Sequence, residues 1–136
     1  VTPSAAIAQL DRALARNGQD ITLQRLTLGP NGQQIAFSVG CRAMVTGYQA
    51  SELIAGSGIV QGDSHVILSP TEINEAQWPG PSIVAAGGAA PGTDARVPSK
   101  SRGDRCVIAG KARAVEAGTP FYIDGELVRI ELQVKG

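Results

Sequence analysis

Few side chains in this sequence could do chemistry. The single histidine, His65, enters a short apolar run, and no cysteine or carboxylate stands near it at metal-ligand spacing. It reads as a satisfied or half-exposed strand residue. Ala109-Gly110-Lys111 resembles the end of a phosphate loop, but that pattern needs Gly at 105 and Ser or Thr at 112. The chain has Arg105 and Ala112 there, so a hairpin turn fits better. Glu72 and Glu75 lie three apart, as paired carboxylates for acid–base work can. The plainer reading makes Glu72 the return arm of a capping box that starts at Ser69, and Glu75 solvated. Arg102-Gly103-Asp104 spells an adhesion tripeptide, yet a glycine turn feeding a strand accounts for it. Cys41 and Cys106 fit neither a metal spacing nor a CxxC pair. Cys41 reads as a buried thiol, with a Cys41–Cys106 disulfide open in an oxidising compartment.

Arg96, Lys100, Arg102 and Arg105 form a basic run that could touch phosphates. No aromatics interleave with it for base stacking, and formal net charge is zero. The run therefore reads as a solvated or subunit-contacting loop, with non-specific DNA contact as the second reading. No constellation points to an enzyme, a cofactor or a metal.

The elements that must position these residues are mostly strands. An apolar share of 43% in 136 residues suits one ordinary domain, 1–136, with a core of small and aliphatic side chains. Thr2 as N-cap, Pro3 at the first position and Ile7, Leu10 and Leu14 on one stripe predict a helix over residues 3–17, capped by Gly18. Ile21 and Leu23 alternate, then Leu26 and Leu28 alternate in the other phase, which predicts a bulge near Gln24–Arg25. After a Gly29–Gly32 turn, Ile35, Phe37, Val39, Cys41, Ala43 and Val45 predict a long half-buried strand over 33–46.

A short strand over 65–68 and a short helix over 70–77 follow. Four prolines and five glycines then exclude regular elements over 79–103. Residues 105–109, 112–117 and 121–123 read as strands of a meander. An Asp124-Gly125 hairpin leads into a last strand in which Val128, Ile130, Leu132 and Val134 alternate with polar residues. The expected fold is mainly β: a small antiparallel barrel or sandwich with an N-terminal helix (1–18), a short second helix and a long Pro/Gly-rich loop (79–103). No apolar run reaches the ~20 residues of a membrane helix, and the first residues lack a signal-peptide layout. A chain soluble in the cytoplasm when made, without membrane contact, is the expectation.

Several phrases carry a resemblance. They are Gln24-Arg25 on the opening strand, Val39-Gly40-Cys41-Arg42-Ala43-Met44-Val45, Val66 through Ile73, Gly103-Asp104-Arg105-Cys106-Val107-Ile108, and Gly125 through Leu132. In this order the chain resembles the head–tail joining proteins of tailed bacteriophages, and in particular their small stopper class. The resemblance spans about residues 21–136.

The resemblance implies a β-barrel subunit in a homo-oligomeric ring, typically a hexamer, at the head–tail interface of the virion. Portal or adaptor proteins would lie on one side, the tail on the other, and packaged double-stranded DNA in the channel, held non-specifically until ejection. Such proteins use a projecting loop for that purpose. Gly87, Gly88, Arg96, Lys100 and Arg102 mark the candidate, with the Gly56–Asp63 loop as a rival. The alternatives are an adaptor, a tail terminator or another minor virion protein, or a nucleic-acid-binding barrel of the oligonucleotide-binding kind.

Overall fold

The computed structural model describes residues 2–29, 32–47, 62–78, 80, 94, 96–100 and 103–136, at 27–29 and 33–36 by their backbone alone. Helix α1 (Pro3–Asn17) starts as its sequence dictates: Thr2 Oγ1 accepts the Ala5 N–H at 3.2 Å, and Pro3 takes a position whose N–H would be unpaired anyway. Of its apolar stripe, Leu14 alone is fully buried, while Ile7 and Leu10 are half-buried. Gly18 ends the helix in an extended conformation, not a left-handed one. A glycine is needed there for space: a Cβ would lie 2.5 Å from the Leu14 carbonyl oxygen and 2.9 Å from that of Ala43.

The strands are β1 (Gln19–Gly29), β2 (Gly32–Gly47), β3 (Ser64–Leu68), β4 (Arg105–Ile108), β5 (Lys111–Ile123) and β6 (Glu126–Val134), with a short helix α2 (Thr71–Ala76) after β3. Their order is β1-β2-β3-β6-β5-β4, every pair antiparallel, and β4 returns to β1 to close a six-stranded barrel. The fold is mainly β, with an N-terminal helix and a short second helix, as the sequence leads one to expect.

The predicted bulge falls between Arg25 and Leu26, opposite Phe37 and Ile35. The meander differs in one respect. Residues 112–117 and 121–123 are not two strands but parts of the continuous β5, with an irregularity between Val115 and Ala117. Pro120 is tolerated because β4 pairs only residues 111–114 of β5, so the strand has one strand neighbour from there on.

The capping box also differs. Ser69 Oγ accepts the Thr71 N–H at 3.3 Å, but Glu72 does not reach back to it. Its carboxylate accepts the Arg42 N–H of β2 at 2.7 Å, just past the last residue that β3 pairs. A buried or half-buried edge N–H is a more demanding donor than one at a solvated helix start.

The interior is packed, not hollow. Inward side chains of all six strands meet there: Leu23, Cys41, Val66, Cys106, Val115 and Ile130 among them. Among the described residues, three core residues come from outside the strands: Ile73 of α2, Trp78 and Val97. They are needed because the barrel wall is incomplete. β4 joins β1 only at residues 21–24 and β5 only at 111–114, so among the described residues the two long strands run on without a strand between them. Trp78 stands against Arg25 of β1, and residues 97 and 98 stand against Gly118 of β5. The irregular segment thus supplies wall where strand is missing.

Two hairpin turns have positive φ at both central residues, as the twist of antiparallel strands favours: Asp124-Gly125 and Ala109-Gly110. Ala109, at φ 52, bears the cost of a left-handed alanine. Ala109→Asn should raise stability by about 0.5–1 kcal/mol, since Asn-Gly suits this turn. Urea unfolding should show a higher midpoint with an unchanged slope.

Candidate partner loop and its anchors

The segment between α2 and β4 holds the residues singled out above as a partner loop. Gly87, Gly88 and Arg102 lie outside the described residues, as does all but Gly62 and Asp63 of the rival loop. Arg96 and Lys100 are described, and each has a carboxylate.

The Arg96 guanidinium donates from Nε (2.9 Å) and Nη2 (2.7 Å) to the two oxygens of Asp94, and from Nη1 to Asn74 of α2 at 3.0 Å. The Arg96 backbone N–H donates to the same Asp94. Tyr122 of β5 adds its hydroxyl to Asp94 at 3.0 Å. Lys100 reaches Glu116 of β5 at 3.2 Å, with its side chain 70% exposed, so that pair is weak. The two cations answer to different carboxylates.

A second anchor is deeper. Arg25 projects inward from β1 beside the bulge and meets Asp104 through two parallel bonds, Nε to Oδ1 at 2.5 Å and Nη2 to Oδ2 at 2.8 Å. This forked pairing is the strong geometry for a guanidinium and a carboxylate. The Asp104 side chain is fully buried and that of Arg25 is 10% exposed. Asp104 also accepts the Ser99 N–H at 2.9 Å, which ties the end of the segment to the barrel. The Arg25 guanidinium lies 4.9 Å from the Trp78 ring centre, a cation–π contact in a dry setting. Trp78 Nε1 is buried without a hydrogen-bond partner, so packing and Arg25 hold that ring.

The segment therefore has two fixed feet. Trp78 and Gly80, the latter close to the Phe37 ring, mark the first; Asp94 and residues 96–100 mark the second. Sequence reasoning missed Arg25, Trp78, Asp94, Asp104 and Tyr122 as a working group. One signal was present: Arg25 follows Ile21 and Leu23 at the inward spacing, and an inward arginine needs a buried carboxylate.

Burial by itself would raise the Asp94 carboxyl, but the hydrogen bonds from Arg96 and Tyr122 and the Arg96 charge outweigh it and hold it below 3.8. Tyr122 is pushed up to about 12, first by burial and then by its bond to Asp94. The signs set a window. A lowered carboxyl contributes stability above its unfolded value near 4, lost as pH falls through the folded value. A raised phenol contributes stability below its unfolded value near 10, lost as pH rises through about 12. The second foot should thus hold between roughly pH 4 and 10 and weaken on both sides. An ultraviolet titration should show one phenol ionising late, and Tyr122→Phe should remove that late step.

The other candidate groups lie elsewhere. His65 Nε2 is 2.8 Å from Glu131 Oε1 across β3 and β6, half-buried. Arg129 stands 2.9 Å from the other Glu131 oxygen and lies 5.9 Å from the Phe121 ring, which is 41% exposed. Glu72 is used on Arg42, as described. Asp63, at the end of the rival loop, accepts from Gln133 and from the Gly136 N–H. Among the described residues no three His, Cys, Asp or Glu side chains gather as a metal site.

Both cysteines are free and buried. Burial pushes each thiol up to about 12, with the Glu72 charge adding to the effect at Cys41. Neither should react with a thiol reagent at neutral pH until the barrel unfolds. Labelling in urea should follow the unfolding curve.

Against this geometry, no protein-family model matches the chain, and no curated protein matches it.

Proposed function

We propose that this chain is a head–tail connector subunit of the stopper class. It would form a ring, typically hexameric, between portal or adaptor and tail, and retain packaged DNA until ejection. The observation that carries this reading is that the described residues at both ends of the long Pro/Gly-rich segment are held against a closed barrel. Trp78 and Gly80 at one end, and Asp94 and Ser99 at the other, are fastened there by contacts with Arg25, Phe37, Tyr122 and Asp104. A loop tethered in this way can take load from a neighbour, or from DNA, without drawing on the strand ladders.

Gly87 and Gly88 lie between the feet and are the proposed contact region. Arg96 and Lys100 serve the fastening, since their charges are engaged by Asp94 and Glu116.

The test is assembly. The purified protein, alone or with connector and tail-tube subunits, should give rings in negative-stain electron microscopy. Any duplex DNA binding should vanish at moderate salt. A monomer that joins neither partner at high concentration would count against the proposal. A salt-resistant complex with single-stranded oligonucleotides would favour the nucleic-acid-binding barrel instead.

A further inference from the structure

We infer that the two ends of β5 are complementary poles through which copies of this chain join head to tail. The cationic β4–β5 hairpin of one copy meets the acidic β5–β6 hairpin of the next. The inference rests on the self-association in the proposed function and names the contact that makes it.

Over residues 105–115 every charged residue is a cation: Arg105, Lys111 and Arg113. Arg105 pairs with Ala114, Cys106 with Arg113 and Ile108 with Lys111, so the three share one short hairpin. Arg105 and Lys111 are exposed and Arg113 is half-buried. None of the three forms an ion pair with a described residue. Asp104, next in sequence to Arg105, turns inward to Arg25. Over residues 117–127 the pattern inverts, and the charged residues are Asp124 and Glu126. Both are exposed at the hairpin turn, and neither has an ion pair with a described residue. Arg96 feels the charge of Glu126, yet its guanidinium donates to Asp94 and Asn74.

The two poles cannot neutralise each other within one copy. β5 runs from Lys111 to Ile123, and its strand path is roughly 40 Å, several Debye lengths at physiological salt. A second copy carries the missing complement in the same exposed form. A formal net charge of zero lets copies approach without overall repulsion. Because the patches on the two partners differ, the contact is heterologous and repeats into a ring or a filament. Duplex DNA fits less well: it would match the cationic hairpin and leave the acidic one opposed. Exposed ion pairs are individually weak, so the poles set orientation and salt sensitivity more than affinity.

Sedimentation velocity on the intact chain tests this, at about 0.01 M salt and again near ~1 M. The native chain should form oligomers at low salt and lose them at high salt. Two variants each reverse one pole. The first carries Arg105→Glu and Lys111→Glu; the second carries Asp124→Asn and Glu126→Lys, with Asn chosen to keep the left-handed turn. Each alone should self-associate roughly tenfold more weakly, as a few exposed pairs turn to repulsion. Mixed in equal amounts, the two should associate again, because every pole then meets its opposite. A variant that had only lost its fold could not be rescued in this way. The inference is overturned if the native chain stays monomeric at low salt, or if the mixture stays apart. It is overturned too if either variant assembles as the native chain does, and rings from such a variant would leave the connector reading in place. A native chain that stays monomeric yet still joins connector subunits would separate the two in the same sense.

Discussion

Asp104→Asn is expected to destabilise the protein by about 3–5 kcal/mol. The substitution keeps the shape of the side chain and removes its charge. The Arg25 guanidinium then remains in a dry site without a counter-charge, under the Trp78 ring and with its side chain 10% exposed. One of the two oxygens that accept from Arg25 becomes an NH2 group facing another donor. A buried, unpaired cation costs far more than the loss of one hydrogen bond. Urea unfolding, followed by the fluorescence of the single Trp78, should show the midpoint fall.

The mechanism makes a sharper statement than the magnitude. Arg25→Met in the Asp104→Asn background removes the stranded charge. The double variant should therefore be more stable than Asp104→Asn alone, with a coupling of roughly 2 kcal/mol or more in the cycle. Strict additivity of the two changes would show that the pair is not the source of the loss.

Gly118→Val should cost about 2–4 kcal/mol and dislodge the segment at residues 97–98. An added Cβ would collide with the Pro98 carbonyl oxygen, lie 3.0 Å from Val97 Cγ1 and 3.3 Å from Leu132 Cδ2. The first obstacle is backbone, so no rotamer change clears it. Either β5 bends or the segment leaves its seat. Limited trypsin digestion should then cut after Arg96 and Lys100 while the rest of the chain survives. A variant that loses stability without gaining those cuts would place the strain in β5 instead.

These two sites show what the sequence displays and what it conceals. Alternation over Ile35 to Val45 dictates β2, because a half-buried strand writes its faces into every second residue. Thr2, Pro3 and Gly18 bracket α1 through local hydrogen bonding and sterics, which act over a few residues. The slip at Arg25 is visible for the same reason.

Tertiary partners are another matter. Arg25 and Asp104 are far apart in sequence, and nothing local tells an arginine which carboxylate will face it. Glu72 looks like a capping residue until the Arg42 N–H is placed beside it. Val97 lies in a stretch whose prolines and glycines exclude strand and helix, yet irregular chain can still fill a core when the strands around it stop short. Arg96 and Lys100 stand out as basic residues, but their roles depend on Asp94 and Glu116, which only the folded chain brings within reach.

The short β4 has a consequence for how the molecule comes together. Ring closure of the sheet depends on residues 105–108 finding residues 21–24, so the seam joins the two paired strands that lie farthest apart in the sequence. Hairpins such as β1–β2 and β5–β6 can form early from neighbouring residues, whereas the seam must bring together residues 81 to 87 positions apart. Because the entropy of closing a loop grows only with the logarithm of its length, the intervening chain can lengthen at little thermodynamic expense. A lineage of such proteins could therefore vary the middle of the chain widely while the seam, four residues on either side, stays under tight constraint.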